Sequence, residues 1–251
     1  MPEIGYRKIK AELQSFFERL KRQDGFSEEL LDDRDNSVIR LLHANPAASL
    51  SPLSSFLVST DPAVKWVAVT LIGQLVSQHA SSDMDWARTT IRRFMWYLND
   101  ESGGIGWGIP EAMGEILRNH HGLALEYGKI LWSYVDPEGN HLENEELLEG
   151  ALWGIARIAT RWEDVYSGFS YETVFNYSNS LRPVSRLCAG IILKCFEKMG
   201  RMEVSEKLFL LESDSSRALL FWDGKFFNDS IKNILAGVDQ WILWTKNRNT
   251  S

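Results

Sequence analysis

Glycines and apolar residues recur in this chain at a spacing of about forty positions, and that recurrence constrains the fold more than any other feature. Gly73 and Gly114 are 41 apart, and Gly114 and Gly154 are 40 apart. Val64, Trp66, Ile72 and Leu75 stand 41 before Ile105, Trp107, Met113 and Ile116. Met113 and Ile116 stand 40 before Trp153 and Ala156. Val184, Cys188, Ile191 and Ile192 lie 120 after Val64, Ala68, Leu71 and Ile72, three steps on. Within each copy the apolar positions follow helical spacing. A single helical pair cannot cover its own apolar face, so successive copies must stack.

A period of this length, built from helix pairs, indicates HEAT-like or armadillo-like repeats. The expected fold class is all-α: an α-α superhelix with a small C-terminal β-hairpin and a capping helix. The 251 residues read as a single repeat domain over 1–251. Residues 1–45 supply N-terminal capping helices, 46–200 about four helical pairs, and 201–251 a C-terminal cap.

Asp61-Pro-Ala-Val-Lys-Trp-Val-Ala-Val-Thr-Leu-Ile-Gly-Gln-Leu75 resembles the second helix of a HEAT-like repeat of the bilin-lyase type. Residues 99–117 and 220–235 also resemble a group of uncharacterised bacterial HEAT-repeat proteins. Those carry a Gly-Gly-Ile-Gly-Trp-Gly-x-Pro-Glu-Ala motif and close with an aromatic-Asp-Gly turn. The resemblance, over roughly residues 84–240, implies a fold and a bacterial source, and no established activity.

Composition narrows the function classes. The formal charge of −7 gives no overall attraction to nucleic acid or anionic lipid. Cys188 and Cys195 share a helix face about 10 Å apart along the axis, too far for a disulfide. Free thiols suit a reducing cytosol. No apolar run is long enough for a signal peptide or a membrane span. A cytoplasmic protein without a membrane partner is expected. No Ser-His-Asp, Cys-His or zinc spacing occurs, so no catalytic residue, metal or cofactor is assigned.

Taken in order, residues 3–22 predict a basic amphipathic helix, with Ile9, Leu13, Phe16, Phe17 and Leu20 inward. Gly25 ends it, Ser27 caps a short successor, and Ser37 caps a helix through Leu42. Residues 52–59 and 62–79 form a first pair, with Asp61 as N-cap and Pro62 at the first helical position. Residues 84–98 and a helix ending near Asn119 form the next, then 122–135 with 142–161, then 170–180 with 183–199. Asp223-Gly224, between two aromatic runs, predicts a type I′ hairpin near 218–228. Asp229 or Ser230 then caps a final helix. The hairpin is expected to cover the open end of the last repeat, because a solenoid terminus exposes apolar surface.

One copy is unusual. Gly103, Gly104, Gly106 and Gly108 fall within six positions beside Asp100, Glu101 and Glu111. Glycine and proline disfavour helix there, so a loop is expected at 100–106, with helix starting between Trp107 and Pro110. A helix N-terminus favours anions, but the acids already satisfy that dipole and oppose a phosphate. The candidate binding set is Asp100, Glu101, Gly103, Gly104, Gly106, Trp107, Glu111, Glu115 and Glu149. Its charge suits a peptide, a cationic group or a hard metal cation. The competing reading is structural: the glycines permit close helix packing and the acids are solvated. Trp107 stands between core anchor and ligand platform.

The leading functional expectation is a non-enzymatic scaffold binding a protein or peptide on its concave face. The alternative is a nucleobase-acting enzyme resembling HEAT-like DNA alkylpurine glycosylases, with Trp107 and Asp100 as its pair. It requires Arg88, Arg92, Arg93, Arg118, Arg157 and Arg161 to gather on one face. A bilin-lyase-like chaperone rests on the repeat resemblance alone.

Overall fold

Asp61 opens the longest described helix: its carboxylate accepts from the N–H groups of Ala63 and Val64, and Pro62 follows at the first helical position. That local chemistry is repeated, with variations, along a computed structural model that describes residues 5–22, 36–99 and 106–244. The helices among these are α1 (Tyr6–Arg22), α2 (Ser37–Ala44), α3 (Pro46–Ser54), α4 (Pro62–His79), α5 (Met84–Leu98) and α6 (Ile109–Asn119). They continue with α7 (His121–Ser133), α8 (Glu145–Ala159), α9 (Glu172–Phe175), α10 (Pro183–Lys198), α11 (Ser205–Leu211) and α12 (Ile231–Gly237). Two strands, β1 (Arg217–Trp222) and β2 (Lys225–Ser230), form a two-stranded sheet between α11 and α12. The recurrent glycines Gly73, Gly114 and Gly154 fall on α4, α6 and α8, the second helix of each pair, and all are buried.

The described residues pack as two units. The first holds those up to His120 together with Phe221–Phe226; the second holds His121–Leu220 and the chain from Phe227 on. In the first unit, Ile9, Leu13, Phe16, Phe17 and Leu20 of α1 are buried. α1 packs on α3, and Phe17 meets Phe56 at 4.6 Å between ring centroids. α4 packs along α6, and α5 lies against both. In the second unit α8 packs between α7 and α10. Trp132, Tyr166, Phe169 and Phe196 form its aromatic core.

Two local expectations need correction. Asn36, not Ser37, caps α2, its side chain accepting from Val38 N–H. The first helix of the first pair spans Pro46–Ser54 rather than 52–59, with Pro52 inside it. Proline removes a backbone donor in a helix, and α3 ends two residues later. The hydroxyls of Ser54 and Ser55 donate there to the carbonyls of Leu50 and Pro52. The hairpin turn has φ of 45° at Asp223 and 76° at Gly224, as a type I′ turn requires. Near its tip, Phe221 stacks on Trp66 of α4 at 4.8 Å and 15°. The contact is driven by burial of two large aromatic surfaces. In the second unit α11 and α12 pack on α10. The expected stop at Gly25 and cap at Ser27 lie outside the described residues.

Candidate functional site

The site begins where α6 begins. Gly108 occupies its N-cap position with φ of 74°, in the left-handed region, and Pro110 sits in the first turn. A Cβ at Gly108 would lie 2.9 Å from Leu57 Cβ. Both conformation and space therefore demand glycine. α6 starts at Ile109, inside the expected window. Gly106 is buried, and Trp107 is half-buried. Asp100, Glu101, Gly103 and Gly104 lie outside the described residues.

The two α6 carboxylates are not solvated. Glu111 is 4% exposed and Glu115 is 3% exposed. A bare buried carboxylate is costly, so each has acquired partners. Lys65 Nζ donates to Glu111 Oε1 at 2.6 Å from α4, one helix away. Glu111 Oε2 is buried and has no hydrogen-bond partner among the described residues. Glu115 receives a hydrogen bond from Asn119 Nδ2 at 3.4 Å and lies 3.8 Å from Arg118 Nη1. Its stem rests on Gly73 of α4, where a Cβ would collide with Glu115 Cβ and Cγ. The 41-residue glycine step is thus a packing device: it lets the two second helices approach closely.

Arg118 also reaches the hairpin, donating from Nη2 to Asp223 Oδ1 at 2.9 Å. Above Lys65 lies an aromatic row. Its ammonium sits 5.5 Å from the Trp66 ring, Trp66 stacks on Phe221, and Phe221 meets Phe226 at 5.2 Å. Two cations, Lys65 and Arg118, thus meet three carboxylates, Glu111, Glu115 and Asp223. Among these five side chains the formal charges sum to −1.

Glu149 belongs to the second unit. Its two carboxylate oxygens accept from Arg182 Nε and Nη2 at 2.9 and 3.3 Å. This hydrogen bonding, above all, raises the Arg182 pKa. The fork ties α8 to the start of α10, a bidentate geometry that only a guanidinium supplies. Glu145 and Glu146 are exposed at the start of α8.

A concavity of about 620 Å³ lies in this unit among His121, Arg161, Trp162, Asp164, Ser167 and Trp244. His121 Nε2 lies 2.9 and 3.0 Å from the two oxygens of Asp164. Ser167, the hydroxyl there, donates to the Asp164 backbone carbonyl at 3.1 Å. The histidine and the hydroxyl are thus not arranged as base and nucleophile.

Lys65, Trp66, Arg118 and the hairpin tip escaped the sequence reading as site residues. Arg118 enters the sequence analysis only in the arginine set of the nucleic-acid alternative, and Asp223 only as a turn residue. The arginine set proposed for a nucleic-acid surface is partly spent. Arg118 is engaged by carboxylates, and Arg157 is 2% exposed with its guanidinium 5.4 Å from the Trp153 ring. Among the described residues no group of three or more His, Cys, Asp or Glu is placed to hold a metal ion. No described helix is long and apolar enough to cross a membrane.

No family model matches the sequence, and the comparison with curated proteins finds no match. Solved structures do resemble it. One is a designed armadillo repeat protein in complex with the peptide (KR)4, with a TM-score of 0.51 and 15% identity, over 94% of this chain and 98% of that one. Another is a computationally designed armadillo repeat protein for modular peptide recognition, with a TM-score of 0.50 and 12% identity, over 93% of this chain and 98% of that one. A further designed armadillo repeat protein gives 0.51 and 13% identity, over 94% of each chain. At these identities the likeness concerns the fold: a mostly helical, armadillo-like repeat, here with a small sheet near the C-terminus.

Proposed function

We propose that the protein is a non-enzymatic interaction scaffold that takes a peptide segment with basic side chains against α4, α6 and the hairpin tip. The observation that carries this reading is the Glu111 carboxylate. One of its oxygens is held by a partly exposed lysine; the other is buried and accepts no hydrogen bond from a described residue. A buried acceptor without a donor costs roughly 1–3 kcal/mol, so an incoming N–H would recover free energy there. Carboxylates outnumber cations among these five side chains, which favours a cation over an anion. Trp66 and Phe226, each partly exposed, offer flat surfaces to a guanidinium. The designed armadillo neighbour in complex with the peptide (KR)4 supports this reading. Gly106, Trp107 and Glu115 complete the proposed site, and Asp100, Glu101, Gly103 and Gly104 join it on sequence alone. Glu149, clamped by Arg182, contributes only as a structural neighbour in its own unit. The free, buried cysteines fit a reducing compartment, and we assign the protein to the cytoplasm.

The test is calorimetric titration with a (KR)4 peptide, a glutamine-serine peptide of equal length and an acidic one. The basic peptide should bind with salt-sensitive affinity, and Glu111→Gln with Glu115→Gln should weaken it at least about tenfold. Circular dichroism confirms that the variant is folded. Equal affinity for the basic and neutral peptides would overturn the reading.

A further inference from the structure

Helix α5 turns a different kind of surface to solvent. Its inward side is Ala87, Thr90, Ile91 and Phe94, all buried. Asp83 caps it, accepting from Trp86 N–H at 2.9 Å, and its packing on α4 and α6 holds it in place. The outward side carries Arg92, Arg93, Trp96 and Tyr97. Trp96 is 77% exposed and Tyr97 is 52% exposed. Arg93 makes no hydrogen bond or ion pair with any described residue, and Arg92 donates only to Thr89 Oγ1, at 3.3 Å. The one acid on the stripe, Asp85, is already paired with Arg88 at 3.3 Å.

Four features combine. Residues three and four apart are neighbours on a helix, so Arg92 and Arg93 both flank Trp96, and Arg93 also flanks Tyr97. Tryptophan, tyrosine and arginine are the residues enriched where binding energy concentrates. A large exposed indole on a rigid helix loses little conformational freedom when it is covered. The two uncompensated positive charges stand out on a chain with a net charge of −7. We infer that this stripe is a docking surface for an acidic protein segment bearing an aromatic or aliphatic anchor. The charge selects the partner: carboxylates pair with Arg92 and Arg93 while the anchor covers Trp96. The inference stands independently of the α4–α6 reading, because it uses other residues and the opposite sign of partner charge.

Fluorescence anisotropy tests it, with labelled acidic peptides each carrying a phenylalanine or leucine anchor. Their glutamine-for-glutamate counterparts and vesicles of phosphatidylcholine with phosphatidylserine are the other arms. The acidic peptides should bind saturably, weaken as salt rises, and lose about 30-fold in affinity on Trp96→Ala. Arg92→Gln with Arg93→Gln should cost about tenfold, and Lys232→Gln, which removes an exposed charge on α12, should leave the affinity unchanged. All the replaced α5 side chains are exposed, so unchanged thermal midpoints are expected. The inference is overturned if acidic and glutamine peptides bind alike, or if the α5 variants bind as the parent does. It is also overturned if vesicles bind and peptides do not, which makes the stripe a lipid-surface contact. Sedimentation showing a dimer that Trp96→Ala dissolves overturns it in favour of a second copy.

Discussion

Arg118 donates from Nη2 to Asp223 Oδ1 at 2.9 Å, joining residues 105 positions apart in the chain. Asp223 sits at φ of 45° in the hairpin turn, so the same residue shapes the turn and anchors its tip. The two roles separate by mutation. Asp223→Asn keeps a side chain tolerant of positive φ and loses the charge; it should cost about 1 kcal/mol. Asp223→Ala loses both and should cost roughly 1 kcal/mol more. Urea unfolding followed by near-ultraviolet circular dichroism, which reports the stacked Trp66 and Phe221, distinguishes them.

Gly73→Ala tests the meaning of the forty-residue step. Alanine favours helix over glycine by roughly 1 kcal/mol, but its methyl group would strike Glu115. Overpacking of that kind costs typically about 1–3 kcal/mol, so net destabilisation is expected. Gly237→Ala is the control: it has φ of −89° and nothing within 4 Å of an added Cβ. It should be neutral or slightly stabilising. Thermal midpoints of the pair check this, and equal shifts would refute the packing role.

Tyr134 and Tyr177 should resist alkaline titration. Burial raises the phenol of each from its ordinary value of 10.0 to about 12, with Asp136 adding to the shift at Tyr177. Tyr177 also donates to the Val135 carbonyl at 2.6 Å. Because the folded-state values lie above the unfolded ones, this contribution to stability is complete below pH 10. It is lost as the pH rises through about 12. Tyrosinate absorbance should show phenols titrating late, together with loss of near-ultraviolet dichroism.

Cys188 and Cys195 are both free and fully buried. Desolvation lifts both thiols above their ordinary value. The thiolate is the reactive form, so neither should react with a disulfide reagent in native buffer. Reaction should start only with unfolding of α10, which makes the labelling rate a clock for that event. Rapid labelling of the native protein would contradict the burial.

The carboxylates of α6 mark where sequence reading stops. Their position on one helix face was legible from a spacing of four, as was a helix start near Pro110, because glycine and proline act locally. Their solvation was not legible. Solvated acids and buried, paired acids have identical local sequence; what separates them is Lys65, 46 positions away from Glu111. Glu149 gives the same lesson, since its partner Arg182 is 33 positions away. The hairpin turn was readable from Asp223-Gly224, whereas its place against Trp66 was not, because stacked rings leave no periodic trace.

The amino-acid sequence by itself determined what depends on neighbours within a few residues. It specified helical stripes, the Asp61 and Pro62 start of α4, the type I′ turn and the forty-residue repetition of helix pairs. Backbone dihedrals, capping bonds and amphipathic periodicity are all short-range. Only the tertiary structure decided which charges are dry, which cations neutralise them and which helix receives the hairpin tip. Desolvation and ion pairing depend on distance in space, and folding sets that distance between residues far apart in the chain.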